Sequence, residues 1–196
     1  MTIRGLPGIA HNKGVPKHTV LLASVLLTAS LSAPAQTADS STGDAWKAMQ
    51  SLVGEWMGEG GGQPGQVSAG GFSFAPDLQG AVLVRKNFAE YPASKDRPAF
   101  RHDDLTIVSR GTAGNPTRAT YFDNEGHVIE YSVSATADGA RIQWVSEPQA
   151  GQPRFRFTYI LTSPDTLKLR FEIAPPGQPE KFSLYIEASA HRVPKK

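Results

Sequence analysis

Residues 154–161 read Arg-Phe-Arg-Phe-Thr-Tyr-Ile-Leu and residues 166–173 read Thr-Leu-Lys-Leu-Arg-Phe-Glu-Ile. In the first, Phe155, Phe157, Tyr159 and Leu161 fall on one side of an extended chain and Arg154, Arg156 and Thr158 on the other. In the second, Leu167, Leu169, Phe171 and Ile173 oppose Lys168, Arg170 and Glu172. Side chains of a strand alternate between faces, so both stretches predict strands packed on one side and wetted on the other. Only Thr162 to Asp165 separates them, and its Ser163-Pro164-Asp165 core is turn chemistry, which predicts an antiparallel hairpin.

The same two-residue period runs outward from this pair. Further strands are expected at 55–60, 67–74, 81–91, 102–110, 117–123, 127–135, 141–146 and 182–191, making ten with the two above. Short connectors such as Asp123-Asn124-Glu125-Gly126, Asp138-Gly139 and Pro175-Pro176-Gly177-Gln178-Pro179 suit tight links, because Asn and Gly tolerate positive φ. Neighbours in sequence are then neighbours in the sheet. A ten-stranded meander twists and curls, and closing it leaves no unpaired edge. The fold expected is therefore all-β, an antiparallel up-and-down barrel; a two-sheet sandwich is the alternative. Two longer segments, 60–71 and 92–101, are placed to lie over an opening. One short helix is expected at 45–52, where Asp44 can cap it and Trp46, Met49 and Leu52 share a face.

Composition narrows the function classes. The chain has 196 residues and no Cys, which excludes disulfide staples, Cys-ligated zinc and a thiol nucleophile. Arg4, Lys13 and Lys17 precede an uncharged run from Val20 to Leu31, and Ala33-Pro34-Ala35 follows it. This is the layout of an export signal over 1–35, cleaved between Ala35 and Gln36, with a flexible stretch at 36–43 and one domain over 44–196. The apolar run reaches about 18 Å as a helix, short of a bilayer core of roughly 30 Å, so no membrane span is expected. Three basic residues and no acidic ones lie in the signal, which leaves 17 Lys plus Arg against 18 Asp plus Glu. A near-neutral domain carries no electrostatic footprint for nucleic acid. The expected location is periplasmic or extracellular.

Gly54-Glu55-Trp56-Met57-Gly58-Glu59-Gly60 resembles the Gly-x-Trp opening of lipocalins and calycins, and in its fuller form the opening of nitrobindin-type barrels. His102-Asp103-Asp104-Leu105, the run from Tyr121 to Ile129, the run from Pro153 to Tyr159 and the run from Phe171 to Gly177 are similar to an uncharacterised group of exported bacterial calycin-like proteins. That resemblance spans roughly residues 46–192. It implies the barrel but no reaction. Nitrobindin-type proteins hold haem through a His near the C-terminus and are implied to act on nitrogen oxides, which makes His191, or else His127, the matching candidate. Strand parity opposes His191, since Leu184, Ile186, Ala188 and Ala190 form the apolar face and His191 the other.

Trp56, Tyr121, Tyr131, Trp144, Phe157, Tyr159 and Phe171 are expected to point inward and line a ligand site. The bland reading is that such rings fill the core outright. Trp56 is also placed to plug one end of the barrel. His127 shares parity with Ile129, Tyr131 and Val133 and is expected to face inward at a rim, where it either meets a ligand or simply pairs with a neighbour. Arg85 shares parity with Leu83, Asn87 and Ala89; facing inward it suits a ligand carboxylate, facing outward it is structural. His102 and Asp104 read as the solvated start of a strand. There is no Gly-x-Ser-x-Gly elbow, phosphate loop or Ser/His/Asp constellation. The expectation is a non-catalytic barrel that takes a small apolar or amphipathic molecule in its lumen, without cofactor. A haem protein and an exported module for protein partners are the alternatives.

Overall fold

The computed structural model describes residues 42–59, 67–95, 97–112 and 116–194. The expected export signal, its cleavage point, most of the 36–43 stretch and the first part of the 60–71 connector lie outside the described residues. In chain order the elements are β1 (Thr42–Gly43), α1 (Ala45–Gln50), β2 (Gly54–Gly58), β3 (Ala69–Asp77), a 3-10 turn (Leu78–Gly80), β4 (Val82–Tyr91), β5 (Phe100–Ser109), β6 (Thr117–Asp123), β7 (Val128–Thr136), β8 (Arg141–Ser146), β9 (Arg154–Ser163), β10 (Thr166–Ala174) and β11 (Ser183–Arg192).

From β2 to β11 each strand pairs antiparallel with the next, and β11 returns to β2, so ten strands close into a barrel. The meander expected from the short connectors is the one observed. β1 is an addition: Thr42 and Gly43, at the end of the stretch expected to be flexible, pair with Thr136 and Ala135 of β7. Residues 154–173 follow their alternation in part: Thr158 and Glu172, expected on the wetted face, are buried as well, Glu172 in a two-pronged pair with Arg156. Leu169 faces Tyr159 on one side and Ala188 on the other, and Leu167 and Tyr159 are fully buried. Past Phe171 a bulge shifts the β10–β11 register by one residue, and Leu184 is left exposed although it shares an apolar parity with Ala190.

One end of the barrel is sealed. Asp44 accepts a hydrogen bond from Lys47 N at 3.1 Å and starts α1, which packs on β7 and β8 and buries Trp46, Ala48 and Met49. Leu52, just beyond the helix, is wholly buried, and its carbonyl accepts a 2.9 Å bond from Trp56 Nε1. Gly54 then enters β2 at φ +130°, a conformation costly for any residue with a Cβ. Arg192, at the end of β11, lies 4.2 Å from the Trp56 ring and donates to the carbonyls of Val53 (2.7 Å), Ser51 (2.9 Å) and Pro164 (3.0 Å). The guanidinium thus ties the last strand to the turn that carries the plug.

β3 runs beyond the expected limit at Phe74, through Pro76 to Asp77. Pro76 sits opposite Leu83 at the hairpin end. The turn that follows places Leu78 and Gln79 at φ 47° and 58°, with Asp77 Oδ1 accepting from Leu78 N at 2.6 Å.

Candidate functional site

The inner face changes character along the barrel axis. Toward the sealed end it is apolar and filled: Leu83, Val108, Val133, Ala135, Ile142, Leu167 and Ala190 join Trp56, Met49 and Leu52 in one cluster. At mid-height, rings from opposite walls meet. Phe74 of β3 lies 6.2 Å from Trp144 of β8, and Phe72 lies 5.8 Å from Tyr159 of β9. In a ring of ten strands these are five and four strands apart by the shorter way round. The bland reading of the aromatic residues therefore holds for this half.

The other end is built differently. On one wall the inward positions include four small residues, Gly58, Gly70, Ala89 and Ala188, all at least partly accessible, with Ile186 and Tyr91 beyond them on the same strands. Opposite them stand Tyr121, Ile129, Phe155, Phe157 and Phe171, half-buried, with Phe155 and Phe171 stacked at 5.8 Å and Phe157 and Phe171 at 6.2 Å. Small residues facing large aromatic ones leave a vestibule whose sides are apolar.

Its floor is polar. β4 and β5 pair so that Asn87 lies beside Asp104 and Arg85 beside Thr106, and all four share the inner face. Arg85 and Asp104 form a buried ion pair, and Asn87 Nδ2 donates to the second carboxylate oxygen at 2.7 Å. The guanidinium lies 5.6 Å from the Phe72 ring and 5.8 Å from the Phe157 ring, at a range where the charge is attracted to the ring faces. Burial pushes the Asp104 carboxyl up, but Arg85, with His102 and Asn87, outweighs it and holds the group below the ordinary carboxylate range. Burial raises the Tyr159 phenol to about 12 despite the neighbouring Arg85 charge, so it stays a donor. Tyr131 is raised for the same reason. Arg85 Nε, Thr106 Oγ1, Trp144 Nε1 and the Tyr159 hydroxyl are buried without a hydrogen bond of ordinary geometry in the protein.

From the floor a polar chain climbs to the rim. His102 Nε2 lies 3.6 Å from Asp104 and 3.1 Å from the Tyr121 hydroxyl, while its Nδ1 is 2.9 Å from Glu125. The Tyr121 hydroxyl donates to Asp123 at 3.1 Å, and His127 Nδ1 meets the same carboxylate at 2.8 Å. Tyr121 is pushed well above the usual phenol range by burial first and then by Asp104 and Asp123.

Of the residues expected to line a site, Arg85, Tyr121, Tyr131, Trp144, Phe157, Tyr159 and Phe171 do come together around this floor and vestibule. Two do not. Trp56 belongs to the sealed end, as the plug reading had it, stacked on Phe72 at 6.0 Å. His127 is not inward but half-exposed in the β6–β7 turn, because the Asp123 carboxylate accepts from its backbone N at 2.9 Å as well as meeting its ring. His102 and Asp104 are the correction in the other direction: Asp104 belongs to the buried floor, and His102, partly buried, stands directly on it rather than at a solvated strand start. Leu105 and Ile107, apolar but on the outer face, leave the strand without a clean alternation to show which side turns in. The signal was in the sequence nonetheless, since His102, Asp104, Thr106 and Val108 alternate on one face and Arg85 needs a counter-charge.

Neither of the two histidines that the nitrobindin resemblance pointed to faces the lumen. His191 is on the outer wall, half-exposed and 3.7 Å from Glu59, as parity indicated, and His127 is held at the rim. A shallow depression of about 370 Å³ lies over β4–β6, bordered by Lys86, Asn87, Asp104, Leu105, Phe122 and Asn124.

No protein-family model and no curated protein matches the sequence. Among solved structures, the crystal structure of Rv2717c from M. tuberculosis is similar to this chain with a TM-score of 0.50 at 18% identity, over 76% of this chain and 98% of that one. At that identity the likeness speaks for the fold alone, a barrel protein as here.

Proposed function

We propose that the protein is a non-catalytic barrel that takes a small amphipathic molecule in its vestibule, apolar part along Phe155, Phe157 and Phe171 and polar head toward Arg85. The observation that carries this reading is the contrast of walls: Gly58, Gly70, Ala89 and Ala188 stand opposite a bank of rings, above a floor that is polar. Apolar area removed from water supplies the affinity, at about 25 cal/mol per Å² before ordering costs, and the floor fixes orientation. The export layout of residues 1–35 supports a periplasmic or extracellular site of action.

The test is a titration with a naphthalene-type fluorescent probe. Saturable one-to-one quenching of tryptophan emission is expected, weakened about tenfold or more when Ala188→Trp fills the small wall, since that removes most of the probe's buried area. Unsaturable quenching, or binding indifferent to Ala188→Trp, would remove the vestibule from the account. Protein recovered from its own host should begin at Gln36 by intact mass; a full-length product contradicts export.

A further inference from the structure

The polar floor is more specific than an amphipathic pocket requires. Arg85 already has its counter-charge: Asp104 occupies one edge of the guanidinium, and Asn87 and His102 complete the carboxylate's shell. Beyond this pair, the ionisable groups that climb toward the rim also come matched, His102 against Glu125 and His127 against Asp123. No surplus positive charge faces the lumen along this chain. What is in surplus is donors. The Arg85 guanidinium leans on the Tyr159 oxygen; beyond that contact Trp144 Nε1 and the hydroxyl protons of Tyr159 and Thr106, each in a residue more than nine-tenths buried, meet no acceptor of ordinary geometry among the described residues, with the Trp144 and Tyr159 rings 5.7 Å apart. A buried donor without an acceptor is destabilising, so these three define what the missing complement must be.

We infer that the floor is a receptor for an uncharged acceptor oxygen, a ketone, ester or amide carbonyl, and that it discriminates against carboxylates. This rests on the vestibule reading above and sharpens it; it also reverses the expectation that an inward Arg85 serves a ligand carboxylate. A carboxylate brought to Arg85 would make two anions share one buried guanidinium, and the second would lie in a low dielectric without its own cation. A carbonyl oxygen brings two lone pairs and no charge, and satisfies donors that nothing else does.

Methyl octanoate and octanoate have similar tails and differ in head-group charge. Competed at neutral pH against the naphthalene-type probe, methyl octanoate is expected to bind at least about tenfold more tightly to the wild-type protein. Asp104→Asn removes the counter-charge while keeping the shape, and is expected to narrow or invert that preference. Tyr159→Phe, which keeps the ring, is expected to weaken the ester by about fivefold while leaving the probe in place. Tighter binding of octanoate to wild type, or an ester affinity unmoved by Tyr159→Phe, overturns the inference while the vestibule stands. If the probe itself shows no saturable binding, the vestibule reading has failed and the head-group preference falls with it.

Discussion

Arg85 and Asp104 carry most of what is unusual at the level of single residues. Two charges taken out of water are stabilised only by each other and by the donors around them, so losing one partner is worse than losing both. Arg85→Met should lower unfolding free energy by about 3–5 kcal/mol, whereas the pair Arg85→Met with Asp104→Leu should cost less than the single change. Urea denaturation of the two variants checks this, and a double variant as unstable as the sum of its parts would show that the pair is not coupled. The sequence disclosed half of this arrangement. Tyr159, Trp144 and Tyr131 declare themselves by alternation with apolar neighbours, and Arg85 as a candidate whose facing stays open, since both faces of its strand mix apolar and polar residues. Asp104 does not, because β5 has hydrophobic residues on both faces and the outer one, Leu105 and Ile107, is the more conspicuous. Which face of such a strand turns inward is decided by its partners, and that information lies across the sheet rather than along the chain.

Among the elements, the plug and its fastening matter most. The helix α1 has only six residues, too few to persist alone, so its position depends on what holds it. Arg192 does so through carbonyls of Ser51, Val53 and Pro164 and by lying over Trp56. Replacing it by Met keeps the aliphatic stem and removes the donors; the expected loss is about 2–3 kcal/mol, with faster amide exchange concentrated at Leu52 and Val53. Uniform exchange across the barrel instead would mean that Arg192 supports the whole sheet and not the plug. The Gly-x-Trp-x-Gly spacing made this element readable in advance. Gly54 adopts a backbone shape that disfavours other residues, and Trp56 needs the carbonyl of Leu52 within reach, so local chemistry alone fixes the pattern. The bulge beside Phe171 was not readable, since nothing in the residues 171–174 distinguishes a shifted register from a regular one.

For the whole molecule, closure was legible because most connectors are short and most strands alternate; the sandwich alternative fails on the pairing of β2 with β11 and of β7 with β8. The closed sheet also sets the response to acid. Asp104, Asp123, Asp138 and Glu172 all lie below the ordinary carboxylate range, through Arg85, the His127 backbone N–H, the Thr136 hydroxyl and Arg156 respectively, working against burial where there is any. Groups depressed on folding contribute stability that is complete above their unfolded pKa of about 4 and is lost as pH falls through the lower folded values. The urea midpoint should therefore be flat near neutrality and drop below about pH 4; a midpoint that rises on acidification contradicts the assignment. The ring has one further property. Val193 N donates to Glu55 O at 2.8 Å, so the outgoing end of the last strand touches the incoming end of the first. A peptide carried from the end of β11 back to Thr42, so that α1 is retained, with the backbone severed instead at the exposed bend 148–152, would give a circular permutant in which every strand of the barrel keeps both its neighbours. The order of translation is then incidental to the architecture, and a permutant that cannot refold would reveal a dependence on synthesis order that the final geometry does not record.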